Sequence, residues 1–168
     1  MVSRFEDGSN FVEVGSWKGR SAAFLAVEIH NSGKKIQLDC IDTFAGSEEH
    51  RDPNSSAYEP LLIEENGLYK EFLRNIKPVR HIITPIRLAS LEAVELYHGN
   101  SLDFVFIDAA HDYENVKADI KAWKEKVKIG GVLAGHDYSW SDEVKRAVNE
   151  SFDSVIEDEG CWIWINHI

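Results

Sequence analysis

Two apolar segments, Phe104–Ile107 and Val132–Ala134, each run directly into a polar end that carries an acid, and a stretch with helical spacing separates them. A strand–helix–strand unit of this kind closes on itself as a right-handed crossover between parallel strands. The C-terminal ends of the two strands then lie side by side, at the edge where open parallel sheets hold their ligands. Asp108 and Asp137 are therefore expected at one crevice, with His111 and His136 beside them. Two carboxylates and two imidazoles in one place suit a hard cation and a proton transfer.

The rest of the chain repeats that unit. The spacing predicts a strand over Phe11–Val14, a helix over Lys18–Asn31 with Gly33 just past its end, and a strand over Ile36–Ile41. Ala45–Pro60 is polar and holds two prolines, so it reads as a long loop of the length that serves as a lid or binding loop. Further on, Leu61–Ile76 reads as helix closed by Pro78, His81–Thr84 as strand, and Leu88–Tyr97 as helix capped at Gly99. Asp103–Ile107 (strand), Glu114–Lys126 (helix), Gly130–Ala134 (strand) and Ser141–Glu150 (helix) follow. The last two strands, Ser154–Ile156 and Cys161–Ile165, are joined only by Glu157–Gly160, which demands an antiparallel hairpin. The expected fold is α/β: a Rossmann-like, doubly wound sheet of seven mostly parallel strands with a C-terminal antiparallel hairpin, all in one domain over 1–168.

Composition narrows the partners. A formal net charge of −11 opposes nucleic-acid binding, since phosphate neutralisation needs a cationic surface. No window approaches the ~18–20 apolar residues of a membrane span, and Met1–Asn10 has no apolar core for a signal peptide. Cys40 and Cys161 sit in separate apolar runs with no clustered partner, as expected for reduced thiols in a cytoplasmic protein.

The first strand leads into Glu13–Val14–Gly15–Ser16–Trp17–Lys18–Gly19–Arg20–Ser21. Glycines at a strand-to-helix turn admit a ligand close to the backbone, and a helix N-terminus favours a negative group. A pyrophosphate and the carboxylate of a methionine moiety both meet that description. The spacing is not G-x-G-x-x-G, and Glu13 would repel a pyrophosphate while attracting an ammonium group. A plain glycine turn with a solvated glutamate is the bland alternative.

This stretch resembles the first motif of the metal-dependent small-molecule O-methyltransferases, the group of the catechol and caffeoyl-CoA enzymes. It is closer still to methyltransferase family 24, which includes macrocin-type sugar O-methyltransferases and cephalosporin-biosynthesis methyltransferase-like proteins. The resemblance runs from Phe11 to Ile165, and the terminal hairpin is the closing element of the class I S-adenosylmethionine methyltransferase fold. It implies that Glu13, Gly15 and Ser21 hold the methionine end of S-adenosylmethionine, with Ser16, Trp17 and Gly19 in the same turn. It implies that Asp42 accepts from the ribose hydroxyls, where the alternative is a cap in Asp42–Thr43–Phe44. Ser90, in Ala89–Ser90–Leu91, falls at the adenine position or is simply a helix N-terminal residue.

At the other end the resemblance implies that Asp108 and Asp137 bind a divalent metal, Mg²⁺ in the related enzymes, and that His111 is the general base. Asp108 also borders the cofactor. His136 departs from the oxygen ligands of the related enzymes, so it selects a softer metal, orients Asp137, or replaces the metal's role. Strand-end capping without an ion is the alternative for both acids. Tyr113 and Tyr138 are candidates to line the pocket, Trp17 and Trp140 to wall it, and Asp119 and Trp123 to pack a helix. Only ten residues precede Phe11, where the related enzymes carry covering helices. An open pocket, or one closed by the 45–60 loop and a second copy in a homodimer, is expected, and an open one suits a small-molecule or glycan acceptor. The resulting expectation is O-methylation of a hydroxyl. A nicotinamide-dependent oxidoreductase and a non-catalytic S-adenosylmethionine-binding module are the alternatives.

Overall fold

Alternate residues of each central strand face opposite sides of one sheet, and both sides are buried. In β1 (Asn10–Val14), Phe11 points to one layer, Val12 and Val14 to the other. The computed structural model describes residues 2–47 and 50–167. Its remaining elements are α1 (Arg20–Ser32), β2 (Gln37–Ile41), α2 (Gly67–Asn75), β3 (Ile83–Ile86), α3 (Ser90–Ala93), β4 (Leu102–Ile107), α4 (Tyr113–Lys124), β5 (Val127–Gly135), α5 (Asp142–Ser151), β6 (Ile156–Asp158) and β7 (Cys161–Ile165).

The seven strands run in the order β3-β2-β1-β4-β5-β7-β6. β1 to β5 are parallel, β7 is antiparallel to β5, and β6 is antiparallel to β7. The strand order reverses between β1 and β4, which makes their C-terminal ends the switch point of the sheet. One layer of core joins Phe11, Leu38 and Phe104 to Ala22, Ala26 and Ile29 of α1 and to Leu68 and Phe72 of α2. The opposite layer joins Val12, Val105 and Leu133 to Ile120 and Trp123 of α4 and to Ala147 and Val148 of α5. The expected doubly wound sheet with its closing hairpin is therefore what the chain forms.

Local boundaries differ where tight turns interrupt the periodicity. Leu61–Ile76 is not one helix: a 3-10 turn at Pro60–Leu62 precedes α2, and Asn66 is left-handed at φ 55°. A Cβ on Gly67 would lie 2.2 Å from the Leu61 carbonyl oxygen, so only glycine lets the chain turn there. The helix expected over Leu88–Tyr97 is one α-turn (α3) and one 3-10 turn, and Tyr97 is already extended, so Gly99 caps nothing. β3 starts two residues later than expected and contains Pro85, which an edge strand tolerates. The hairpin turn is only Glu159–Gly160, both left-handed, as a two-residue loop between twisted strands requires. Of the loop at 45–60, Glu48 and Glu49 lie outside the described residues. Elsewhere in it, Arg51 Nη2 donates to the Ala45 carbonyl at 2.6 Å and the Glu59 amide to the His50 carbonyl at 2.8 Å. Cys40 and Cys161 are free thiols, the first buried and the second half-buried. Among the described residues no helix is long and apolar enough to cross a membrane.

Phe72 is fully buried where α2 meets Phe44 (ring centroids 5.0 Å apart) and the first glycine turn. Truncation to alanine should cost about 3–5 kcal/mol, from lost transfer energy and an unfilled cavity. Urea unfolding checks this: the Phe72→Ala midpoint should fall with an unchanged slope.

Candidate active site

Sheet register lines up the site. Val14 pairs with Ile41 and with Ile107, and Ile107 pairs with Gly135. The next residue along each strand is Gly15, Asp42, Asp108 and His136 in turn, so four strands deliver four site residues to one edge. The ladder continues for one step, with Gly15 N–H donating to Ile41, Asp108 N–H to Val14 and His136 N–H to Ile107, at 2.8, 2.8 and 3.1 Å. Gly15 has φ 91°, and a Cβ there would lie 2.0 Å from the Asp108 carbonyl oxygen. Glycine is thus required both by backbone conformation and by the closeness of the two strand ends.

The turn after β1 carries three left-handed residues, Gly15, Trp17 and Gly19. Trp17 is costly in that region, and Asp42 stabilises it. Asp42 Oδ2 accepts from the Trp17 amide at 2.7 Å and Oδ1 from the Phe44 amide at 2.6 Å. Burial raises the Asp42 pKa, and the amides of Trp17, Phe44 and Ser16 oppose that rise. Asp42 is therefore the cap of its own turn and the clamp of the glycine turn, with lone pairs left for a ligand. Gly19 is seated against Phe72 of α2, with a Cβ position 2.9 Å from that ring.

Behind the turn sits Glu13, 1% exposed. Its Oε2 and the Oγ of Ser16 have no hydrogen-bond partner among the described residues. Burial is the main cause that raises the Glu13 pKa to about 7, with Ser16 and Ser21 opposing it and the Asp108 charge adding to it. Unpartnered buried polar atoms are rare and expensive, and a polar or cationic ligand group would compensate them. Glu13, Ser16, Ser21, Gly15 and Asp42 thus form one polar cradle beneath the sheet edge.

On the other side of Gly15, the two acids and two histidines converge. His111 Nε2 lies 3.0 Å from Asp137 Oδ2 and 4.0 Å from Asp108 Oδ1. His136 Nδ1 lies 3.2 Å from Asp137 Oδ1 and 3.7 Å from Asp108 Oδ1. Asp108, His111 and Asp137 each offer a ligand atom within 4.8 Å of the others. Burial raises the Asp108 pKa, with His136 pulling it down and Asp137 pushing it up. Asp137 is left-handed (φ 59°), and its carbonyl accepts from the amides of Trp140 and Ser141 at 3.1 and 2.9 Å. That turn swings the chain into α5, whose N-cap is Ser141. Asp112 caps α4 in the same way, so His111 stands at the head of one helix and Asp137 at the head of the other.

Several expected residues engage partners within the protein; Asp119 and Trp123 pack a helix as expected, and Ser90 opens α3, the alternative place for it. The Ser90 hydroxyl donates to Asp119 Oδ1 at 2.5 Å and accepts from Trp123 Nε1 at 2.9 Å, tying α3 to α4. Asp119, pushed up to about 6 by burial, belongs to that internal bridge. Tyr113 and Tyr138 turn their hydroxyls to Glu150 and Asn149 of α5, at 2.5 and 2.8 Å, and brace that helix instead of lining the cleft. A small pit beneath the cluster is walled by Asp108, His111, His136 and Asp137 above and by Ile107, Val116, Val144 and the buried Trp162 below. Trp140 is 66% exposed, 5.0 Å from the His136 ring, and packs on Gly160, where a Cβ would meet it at 2.4 Å. Trp17 packs on His50 at 4.5 Å, and Lys18 pairs with Glu59, so the glycine turn holds the 45–60 loop directly. No motif marked Trp162, His50 or Glu59; each becomes relevant only through contacts distant in sequence.

Residues 12–138 match the family model of a methyltransferase domain, methyltransferase family 24. A protein of Acanthamoeba polyphaga mimivirus, described only as uncharacterized protein R132, is 28% identical over 159 residues. The match takes in 89% of this chain and 62% of that protein, so the chain spans less than two-thirds of that curated relative's length. Among solved structures, the O-methyltransferase NovP superposes with a TM-score of 0.70 at 18% identity, covering 95% of this chain and 72% of NovP. An O-methyltransferase from Bacillus cereus, solved in complex with SAH, gives 0.60 at 15% identity, covering 93% and 73%. Likeness at such identities establishes the shared fold.

Glu13 yields a test independent of any ligand. An acid whose pKa is higher folded than unfolded binds its proton more tightly in the folded state. Its stabilising effect is present below the ordinary value of 4.5 and is lost as pH rises toward about 7. Ligand-free protein should lose on the order of 3 kcal/mol across that window. Urea unfolding at several pH values should show a steeper slope in the wild type than in Glu13→Gln, which keeps the smaller contributions of Asp42, Asp108 and Asp119; equal slopes would refute the assignment.

Proposed function

Since this chain belongs to the methyltransferase-domain family, we propose that it transfers a methyl group from S-adenosylmethionine to a hydroxyl oxygen of a small-molecule or sugar-like acceptor. The observation that carries this reading is the back-to-back arrangement across Gly15. A buried cradle with orphaned Glu13 and Ser16 atoms lies on one side, and the Asp108–His111–Asp137 cluster on the other. The cradle fits the methionine end of the cofactor: unpaired acceptor and hydroxyl groups receive an ammonium, and glycine admits it close to the backbone. The neighbour solved with SAH, although distant in sequence, supports the same cofactor.

In this reading Glu13, Ser16 and Ser21 bind the amino-acid end, Gly15, Trp17 and Gly19 shape the turn around it, and Asp42 accepts from the ribose while holding that turn. Ser90 contributes to the adenine side through the position of its helix, since its hydroxyl is engaged within the protein. The cofactor's chemical contribution is an electrophilic methyl on a sulfonium sulfur. His111 takes the acceptor's hydroxyl proton, and Asp137 Oδ2, 3.0 Å from its Nε2, fixes the ring and stabilises the charge it gains. Asp108, with its backbone against Gly15, joins the two halves. Asp108, Asp137 and His136 would hold a divalent cation, which when bound lowers the pKa of the acceptor hydroxyl. His111 is 54% exposed in its side chain, so an acceptor reaches the cluster from solvent. The main task left to the protein is alignment of oxygen, methyl and sulfur.

Calorimetric titration with S-adenosylhomocysteine and with NAD tests the cofactor; binding of NAD alone would overturn the proposal. For catalysis, transfer of a labelled methyl group to a small-molecule extract should fall about 10²–10⁴-fold in His111→Ala. A comparable loss is expected for Asp137→Asn, and unchanged transfer in both variants would show that the acceptor site is misassigned.

A further inference from the structure

The acceptor-side cluster is not the oxygen cage that magnesium requires. Mg²⁺ demands oxygen ligands in near-ideal octahedral geometry, whereas neutral imidazole suits zinc and its first-row neighbours. Here an imidazole nitrogen occupies the position between the two acids. His136 Nδ1 is 3.2 Å from Asp137 Oδ1 and 3.7 Å from Asp108 Oδ1. Bonds of about 2.0–2.2 Å at tetrahedral or octahedral angles place ligand atoms roughly 3–3.5 Å apart. The His136 nitrogen stands within that range of Asp137 Oδ1 and just beyond it from Asp108 Oδ1, so a small closing movement of the Asp108 carboxylate would bring all three groups onto one ion.

We propose that this centre takes a first-row transition ion of the zinc or cobalt kind, bound through His136 Nδ1 and one carboxylate oxygen each of Asp108 and Asp137. The inference rests on the reading of this cluster as the acceptor half of the pocket. His136 is assigned ahead of His111 for two reasons. Its nitrogen approaches the same oxygen of Asp108 more closely, 3.7 against 4.0 Å. His111 meets Asp137 through the other carboxylate oxygen, Oδ2, and is the more exposed of the two, 54% against 36%. Asp137 thus divides its oxygens, Oδ1 toward the ion and Oδ2 toward the proton acceptor, and one residue serves both without competition between them. His136 also continues β5 at a position held by the sheet ladder, through its amide on Ile107, so its placement does not depend on a loop.

The full chain supplies its own reporter, because Trp140 lies 5.0 Å from the His136 ring. Titration of the chain with Co²⁺ should quench tryptophan emission, and excess Mg²⁺ should not reverse it. The Co²⁺-loaded protein should show a strongly shifted exchangeable imidazole N–H proton resonance. In His136→Ala, Co²⁺ affinity should fall at least ~100-fold, beyond the 10–100-fold that loss of a merely orienting partner costs. In His136→Asp the shifted resonance should vanish and Mg²⁺ should now compete. Co²⁺ binding unaffected by either substitution, absence of Co²⁺ binding, or loss of the shifted resonance in His111→Ala but not in His136→Ala would each overturn the assignment. S-adenosylhomocysteine titrations on the same variants separate the two proposals. Intact cofactor binding without a His136-dependent metal signature sinks this one alone, and the converse sinks only the cofactor reading.

Discussion

The contact on which the site depends is the approach of two backbones, Gly15 to the carbonyl of Asp108. A Cβ at residue 15 would sit 2.0 Å from that oxygen, so any side chain would push β1 and β4 apart at the switch point of the sheet. Because Val14, Ile41, Ile107 and Gly135 stand in register, a displacement there would misalign every group that follows them. The hydrophobic layers on both sides supply the rigidity. Val12 and Val14 are buried on one face and Phe11 on the other, which leaves β1 no freedom to tilt. Core packing and site geometry are in this sense one property of the central strands.

Charge is distributed to match that frame. Glu13 is carried on the same strand face as Phe11, within an apolar layer, and its raised pKa measures how poorly the protein alone solvates it. Asp42 is half-buried, and its oxygens are engaged by the backbone amides of Trp17 and Phe44, so it stabilises the turn. Asp108 and Asp137 face each other with two histidines between them, which offsets the repulsion that two carboxylates would otherwise suffer. The acids thus differ in their surroundings: Glu13 is left without a partner at Oε2, Asp42 is held by backbone amides, and Asp108 and Asp137 share two imidazoles.

Legibility in the sequence followed the range of the interactions. Strands and long helices were readable because period-2 and period-3.6 patterns are local, and the C-cap at Gly33 was readable because a left-handed residue there needs glycine. The break at Asn66–Gly67 was hidden, since its cause is contact with the Leu61 carbonyl and not a change in hydrophobic spacing. The shortened α3 was hidden for a similar reason: Ser90 spends its hydroxyl on Asp119 and Trp123, partners about thirty residues away. Tyr113 and Tyr138 read as pocket residues because they flank the acids, but their hydroxyls find α5.

By itself the sequence determined that Asp108 and Asp137 would meet, because consecutive parallel strands must bring their C-terminal ends together. It also placed a glycine turn beside Glu13 whose spacing departs from the pyrophosphate-binding fingerprint. Tertiary structure alone decided which atoms face each other. Sheet register set His136 Nδ1 between the two acids, and the left-handed turn at Asp137 divided its oxygens between His136 and His111. Residue order states which groups arrive at the edge; only the packed backbone fixes their angles and distances, and coordination and proton transfer depend on those.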